Sequence, residues 1–388
     1  MNFVEKAMPT QSMFPELATP LIRSTGILAS QTLLEMATAG KISSDLPITD
    51  AQIQPASLDL RLGAVAYRVQ ASFLPGPSST ILDKLKSLEM HQFSLTDGAV
   101  LEKGCVYIIP LQESLNLNSG ISGTANPKSS TGRIDVFTRL LTDFTSEFET
   151  VPAGYQGPLY AEISPRTFSI VVREGSTLNQ VRFRRGTPPA ADATMRRLQA
   201  TEGLINKNDG PIDIKNGVAI SVDLSGKTEN NLVGYKAKQH TSLIDVDKVG
   251  ACQINDYWDP VYTSSGKGSG LILNPDEFYI LMSKEFVTVP LDYAAEMRAY
   301  DTKVGEFRVH YAGFFDPGFG HAESGGQGTR AVLEVRSHDV PFLIEDGQTV
   351  CRLIYEQMTQ IPEKIYGAGG IGSNYQGQAL KLSKHFQS

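Results

Sequence analysis

The chain contains one stretch of itself twice. Leu101-Glu-Lys-Gly-Cys-Val-Tyr107-Ile-Ile-Pro-Leu-Gln-Glu113 lines up with Leu273-Asn-Pro-Asp-Glu-Phe-Tyr279-Ile-Leu-Met-Ser-Lys-Glu285 at a constant offset (279 − 107 = 172), and both read as strand, turn, strand. At the same offset Ala161-Glu162-Ile163 meets Leu333-Glu334-Val335, and Glu174-Gly175 meets Asp346-Gly347. Upstream, Ser57-Leu-Asp59-Leu matches Ser221-Val-Asp223-Leu at a smaller offset of 164, which places a loop of changed length between the two blocks. A repeat of this size means two copies of one domain rather than a solenoid. The 388 residues, 41% of them apolar, are enough for two cores. Gly186-Thr-Pro-Pro-Ala-Ala191 breaks the pattern and is the best linker, giving expected domains at 1–190 and 191–388.

Within each copy the pattern is strand upon strand, bounded by Gly, Asn or Ser, with few helices. That predicts a mainly β chain, a barrel or a sandwich. Residues 1–20 read as a loose arm. Ser30 to Gly40 has a capping serine, helical apolar spacing and a terminal glycine, and predicts a short helix. In Ile53 to Gly63, Leu58, Leu60 and Leu62 alternate with Asp59 and Arg61, the mark of a half-buried strand. Further strands are expected at Gly157–Ile163 and Ser169–Phe183, and a connecting helix at Asp192–Leu204.

Two segments carry candidate chemistry. Val309 to Val335 reads as a hairpin with Asp316 at its turn and Glu334 on the returning strand. Glu334 is either an exposed glutamate on an ordinary edge strand or, facing a partly dry pocket, a carboxyl whose raised pKa suits proton transfer. Asn126-Pro-Lys128-Ser129-Ser130-Thr-Gly-Arg133 reads as the start of a short helix, where the serines either simply cap it or, with Lys128 and Arg133, cradle an oligophosphate. The copies differ at these places. Ser129, Ser130 and Arg133 correspond to Asp301, Thr302 and Gly305, so the second copy lacks the cationic cradle. Matching Ala153-Gly154-Tyr155 to Pro317-Gly318-Phe319 sets Pro152 opposite Asp316, so the first copy lacks the hairpin carboxylate.

A net charge of −7 and a pI near 5.5 argue against broad binding of nucleic acid or anionic membrane, and confine any phosphate site to a local pocket. Cys105, Cys252 and Cys351 are far apart without a Cys-x-x-Cys, which predicts buried free thiols and no zinc site. His91, His240, His321, His338 and His385 have no ligand spacing and are expected to be surface or structural residues. No targeting signal and no long apolar run is legible, so a cytoplasmic protein is expected.

Together these motifs resemble the dCTP deaminases of the dUTPase-like superfamily. Ile53 to Gly63 is similar to the family's strand motif near the N-terminus. Lys128-Ser-Ser-x-x-Arg133 is similar to its phosphate-binding Arg-Ser-Ser-x-x-Arg, and His310-x-Ala312-x-x-x-Asp316-Pro-Gly-Phe319 to its nucleobase hairpin. Glu334 and Glu162 both fall at the catalytic glutamate, and Tyr366 with Asn374-Tyr375-Gln376-Gly377-Gln378 resembles the tail that closes over nucleotide. The resemblance implies two tandem dUTPase-like β-barrel domains of distorted jelly-roll type, and metal-independent deamination of dCTP to dUTP and ammonia, feeding dUMP and dTTP synthesis. It assigns Glu334 as catalytic, with Glu162 a degenerate copy or second catalytic group. It assigns Lys128, Ser129, Ser130 and Arg133 to the phosphates, His310, Ala312, Asp316 and Phe319 to base and sugar, and Tyr366, Tyr375 and Gln378 to the lid.

The resemblance further implies Mg²⁺ travelling with the triphosphate, a homo-oligomer with pseudo-trimeric domain packing, and dTTP as a possible inhibitor. Two departures stand out: Lys128 replaces an arginine, and Asn374 replaces the tail's lysine. The alternatives are a dUTP diphosphatase or bifunctional deaminase-diphosphatase, and an inactive nucleotide-binding regulator. The complementary losses of the two copies imply one composite site, with the first copy's cradle facing the second copy's hairpin, within one chain or between chains.

Overall fold

The computed structural model describes residues 22–187, 191–206, 211–227, 231–263, 270–299, 307–309, 313–337, 340–367 and 380–387. The chain is mainly β with a few short helices. In the first half, Gln156–Pro165 lies between Val106–Asn116 and Val136–Thr142, and Thr177–Arg185 lies beside Ile121–Pro127 and Leu58–Arg61 in a second sheet. In the second half, Thr329–Ser337 lies between Phe278–Val287 and Phe307–Val309, while Thr349–Gln357 lies between Val218–Ser221 and Tyr293–Ala299.

The pairing register carries the repeat. Glu162 pairs with Ile108 and Glu334 with Ile280, and each of these positions is shifted by the same 172 residues. Tyr155 N–H donates to Pro152 O and Phe319 N–H to Asp316 O, both at 3.1 Å, which supports the match of Pro152 to Asp316. The upstream match needs correction. Buried Glu113 accepts from Arg61 N–H at 2.9 Å, and its equivalent Glu285 accepts from Ser221 N–H at 2.8 Å. Arg61 pairs with Thr177 and Ser221 with Thr349, so Arg61 corresponds to Ser221 and the upstream offset is 160 (221 − 61), not 164.

Other expectations shift in detail. The first helix is Ser30–Thr38 with Ala29 as its N-cap and no side-chain cap, because Ser30 is already inside the helix. Leu58–Arg61 is buried on both faces rather than half-buried. Arg61 is satisfied there by Glu113 at 2.8 Å, and Asp59 by an ion pair with Lys128. The connecting helix is Asp192–Thr201. The Val309–Val335 hairpin divides between sheets: Phe307–Val309 pairs with Thr329–Ser337, but Phe314–Phe315 pairs with Tyr293–Ala299. Cys252 and Cys351 are buried, whereas Cys105 is half-buried, and all three are free. His385 is buried, with Nδ1 3.0 Å from Lys248 O, a structural setting. No helix among the described residues is long and apolar enough to cross a membrane.

Two large apolar clusters fill the halves, and the first extends across the junction. Phe168 of the first half packs edge-to-face on Trp258 at 5.5 Å, and Phe386, near the end of the chain, packs on Trp258 at 5.8 Å and on Tyr257 at 5.5 Å. Beside this knot Ile170–Val172 pairs in parallel with Ile244–Asp245 of the second half. Cys252 N–H to His385 O and Gln387 N–H to Cys252 O, both 2.9 Å, stitch the terminus down. Because Phe386 is buried in a fixed aromatic setting, Phe386→Ala should lower stability by about 3 kcal/mol. Thermal unfolding would show that loss, and limited proteolysis should then cut the terminus first.

Candidate functional site

The first-copy motif folds as a single tight turn. The strand Ile121–Pro127 ends, Lys128 takes an extended conformation as N-cap, and Ser129–Gly132 forms one helical turn. The expected serine capping is not found: no side chain caps this turn. Gly132 N–H donates to Lys128 O at 3.0 Å and Arg133 N–H to Ser129 O at 3.1 Å. Asp135 N–H then closes back on Gly132 O at 2.9 Å, with Asp135 in the left-handed region at φ 54. Ser129 is exposed and Lys128 half-buried, while Ser130 and Arg133 are buried. Lys128 is not a free cation, since its Nζ pairs with Asp59 and donates to Thr177 Oγ1 at 3.1 Å. Burial pushes the Asp59 carboxyl up, opposed by Lys128 and then by Lys384.

Glu334 comes to this turn from the second half. The alternation expected for its strand is absent, because Leu333, Glu334 and Val335 are all buried, and the glutamate is only 8% exposed. The backbone of Gly132 lies directly against its carboxyl: a Cβ there would overlap Oε2 and fall 2.8 Å from both Oε1 and Cδ. A side chain at position 132 would therefore displace the Glu334 carboxyl from where it now sits. Burial pushes the Glu334 carboxyl up to about 8, with Arg133 pulling it down and Asp135 pushing it up. Such a carboxyl is protonated at neutral pH yet able to exchange its proton, as general acid–base work requires.

Asp316 is also held across the junction. Arg182, buried on the first-half strand Thr177–Arg185, donates to its carboxylate at 3.0 Å and to Ala295 O at 3.0 Å, and its guanidinium lies 4.0 Å over the Phe314 ring. Burial pushes the Asp316 carboxyl up against the pull of Arg182, and Asp59 adds to the upward push. The Asp59–Lys128 pair therefore neighbours both the hairpin and the phosphate-type turn. Phe319 packs edge-to-face on Phe315 at 5.0 Å and at a tilt against Tyr366 at 5.6 Å, and Tyr366 N–H donates to Pro317 O at 3.0 Å. From the other side the terminus closes on the turn: Arg133 Nη1 donates to Lys381 O and Ser383 Oγ to Ser130 O, both 2.8 Å.

Glu162 has the opposite setting. Its carboxylate is committed to Arg139, whose Nε lies 3.0 Å away and whose guanidinium sits 3.4 Å over the Phe148 ring. No arginine or lysine among the described residues pairs with Glu334 in that way. His310, Ala312, Tyr375 and Gln378 lie outside the described residues, as do Asn374, Asp301, Thr302 and Gly305. Among the described residues no group of three His, Cys, Asp or Glu is placed to hold a metal ion. The sequence reading missed Arg182, Asp135 and Arg336. Nothing in their local pattern marks them, since their importance lies in contacts more than 100 residues away in the chain.

Comparison with known proteins adds the following. A model described as the N-terminal domain of 2'-deoxycytidine 5'-triphosphate deaminase matches residues 24–187, and one described as its C-terminal domain matches residues 191–386. The crystal structure of 2'-deoxycytidine 5'-triphosphate deaminase from Agrobacterium tumefaciens is 55% identical, with a TM-score of 0.82 over 87% of this chain and 100% of that one. Among curated relatives, a "dCTP deaminase, dUMP-forming" of Corynebacterium glutamicum (strain R) is 33% identical over 113 residues, 29% of this chain and 56% of that protein. One from Methanothermobacter thermautotrophicus is 29% identical over 161 residues, 41% of this chain and 74% of that protein. The chain thus spans about half the length of the first of these curated relatives.

The raised Glu334 carboxyl has a consequence for stability. The unfolded glutamate loses its proton near its ordinary value and the folded one only near 8, so the folded state loses stability as pH rises between these values. Glu334→Gln removes that loss. Its melting temperature should match the native chain at pH 4 and rise above it with pH. The corresponding difference in unfolding free energy should level off above pH 8 at on the order of 5 kcal/mol. A pH-independent difference would refute the burial argument.

Proposed function

The chain belongs to the 2'-deoxycytidine 5'-triphosphate deaminase family, and we propose that it hydrolyses dCTP to dUTP and ammonia in one site assembled between its two repeats. The observation that carries this reading is the buried Glu334 carboxyl, seated on Gly132 and raised to about 8. The ionised fraction of Glu334, a minority at neutral pH, takes a proton from water as the water oxygen attacks C4 of cytosine. It passes the proton to the ring nitrogen, and a second proton transfer lets the C4 amine leave as ammonia. One carboxyl shielded from bulk water serves both steps.

Ser129, Ser130 and Arg133 bind the phosphates of dCTP carried as its Mg²⁺ complex, with Lys128 contributing less because Asp59 already neutralises it. Arg133 also faces Glu334, which links phosphate binding to the catalytic carboxyl. Asp316 and Phe319, with His310 and Ala312, shape the base and sugar pocket, and Tyr366, Tyr375 and Gln378 form the lid. Glu162, held by Arg139, is the degenerate copy. Each repeat, 1–190 and 191–388, is a dUTPase-like barrel, and chains associate with pseudo-trimeric packing of these domains in the cytoplasm. The printed name "dUMP-forming" of the curated relatives favours a second reading, in which the dUTP formed is cleaved further to dUMP and pyrophosphate.

Incubation with dCTP, measuring ammonia and pyrophosphate separately, distinguishes the readings: ammonia alone marks a deaminase, both products mark the bifunctional enzyme, and thermal stabilisation without product marks an inactive binder. Glu334→Gln should lower kcat at least ~100-fold with dCTP binding retained. Arg133→Ala should weaken dCTP binding by roughly 10- to 100-fold, the size of a lost charge-assisted contact. Normal turnover in Glu334→Gln, together with a dead Glu162→Gln, would reverse the assignment of the two copies.

A further inference from the structure

Two residues beyond Glu334 on the same strand, and so on the same face, stands Arg336. Its Nη2 donates to the Asp135 carboxylate and to Thr167 Oγ1 at 2.8 Å, and Thr167 Oγ1 donates to the same Asp135 oxygen at 2.5 Å. The three side chains close a triangle and are all buried, Asp135 completely. Asp135 is also the residue whose N–H closes the turn onto Gly132 O, and its own O accepts from Arg166 N–H at 2.9 Å. The arginine beside the catalytic-type glutamate therefore grips the residue that ends the phosphate-type turn. We propose that Arg336, Asp135 and Thr167 form a positioning device that fixes Glu334 against the Ser129–Arg133 turn.

The repeat shows that this device is specific to the working junction. At the offset of 172 Arg336 corresponds to Ser164 and Asp135 to Phe307, so neither charge recurs in the other copy. The first-copy glutamate has instead its own arginine, Arg139. A buried ion pair contributes little to stability relative to apolar packing, but an arrangement in which the halves dock wrongly leaves both charges buried and unpaired. Its consequence is geometric. Misplacing a catalytic group by about 1 Å costs on the order of 100-fold in rate, so a rigid tie two residues from Glu334 acts on turnover more than on affinity.

The inference rests on Glu334 as the working glutamate, and its test separates the two ideas. Glu334 is faced by Arg133 and Asp135 from the turn, with Arg336 on its own strand. The carboxyl of Glu334 can be titrated by infrared difference spectroscopy on carboxyl-labelled protein, with Glu334→Gln as the blank, and kcat and dCTP affinity measured alongside. Asp135→Asn removes the carboxylate that Arg336 Nη2 grips, leaving that arginine the more distant Asp276 at 3.8 Å, and should move the midpoint down by about one unit or more; Arg336→Gln takes one guanidinium away from Asp135 and should move it up. Both should lower kcat about tenfold or more with affinity changed less than about threefold. Asparagine tolerates the left-handed backbone at position 135.

The double variant Asp135→Asn/Arg336→Gln removes both charges, should fold, should titrate near the native midpoint and should still turn over slowly. If the single variants do not fold, slow turnover by the folded double variant supports the device and native turnover overturns it. Midpoints that stay put or move together in the single variants overturn it as well. If the native chain releases no ammonia from dCTP, the deaminase reading fails, while the opposed titration shifts still decide the positioning role.

Discussion

The contact on which the site depends is the seat of the Glu334 carboxyl on the backbone of Gly132. Taking a carboxyl out of water is unfavourable to its charged form, and that is the largest cause of its raised pKa, with Asp135 adding to it and Arg133 opposing it. The dry surface around it is supplied by the other repeat. The missing side chain at position 132 leaves the room that the Glu334 carboxyl occupies. Sequence, packing and reactivity meet there in one atom-scale constraint.

The two copies show how one strand position takes two fates. Glu162 and Glu334 share register, strand and burial, yet the first is neutralised by an arginine stacked on an aromatic ring and the second is left to be tuned by its surroundings. An ion-paired glutamate is a structural element, since its charge is satisfied by its partner. A buried one with no salt bridge among the described residues is costly to keep and therefore informative. Duplication allows this division, because one copy can lose a hairpin carboxylate and the other a cationic turn while the junction retains both.

Much of this was legible in the sequence. The offset of 172 holds in the strand register for Glu162 and Glu334, because it rested on thirteen-residue blocks long enough to set it. The upstream match rested on Ser-Leu-Asp against Ser-Val-Asp, too short to set register, and the hydrogen bonds of Glu113 and Glu285 place it four residues away. Alternation failed as a guide to burial at Leu58–Arg61 and at Glu334, since both strands are covered on both faces by the opposing sheet or repeat. Arg182, Asp135 and Arg336 were silent because polar residues in loops and strands read as surface until tertiary contact buries them.

The same silence explains why the junction is built from charge. Arg336 with Asp135, Arg182 with Asp316, Arg184 with Glu356, Arg173 with Asp245 and Arg23 with Asp292 each join a residue of the first half to one of the second. An apolar junction alone would tolerate sliding, because dispersion and burial are nearly indifferent to small shifts between smooth surfaces. Directional pairs are not indifferent: a shift of one residue strands a guanidinium and a carboxylate together. The aromatic knot at Phe168, Trp258 and Phe386 supplies the attraction, and the ion pairs select the one arrangement in which Gly132 meets Glu334. The stability of the junction and the acidity of its glutamate therefore come from separate sets of residues.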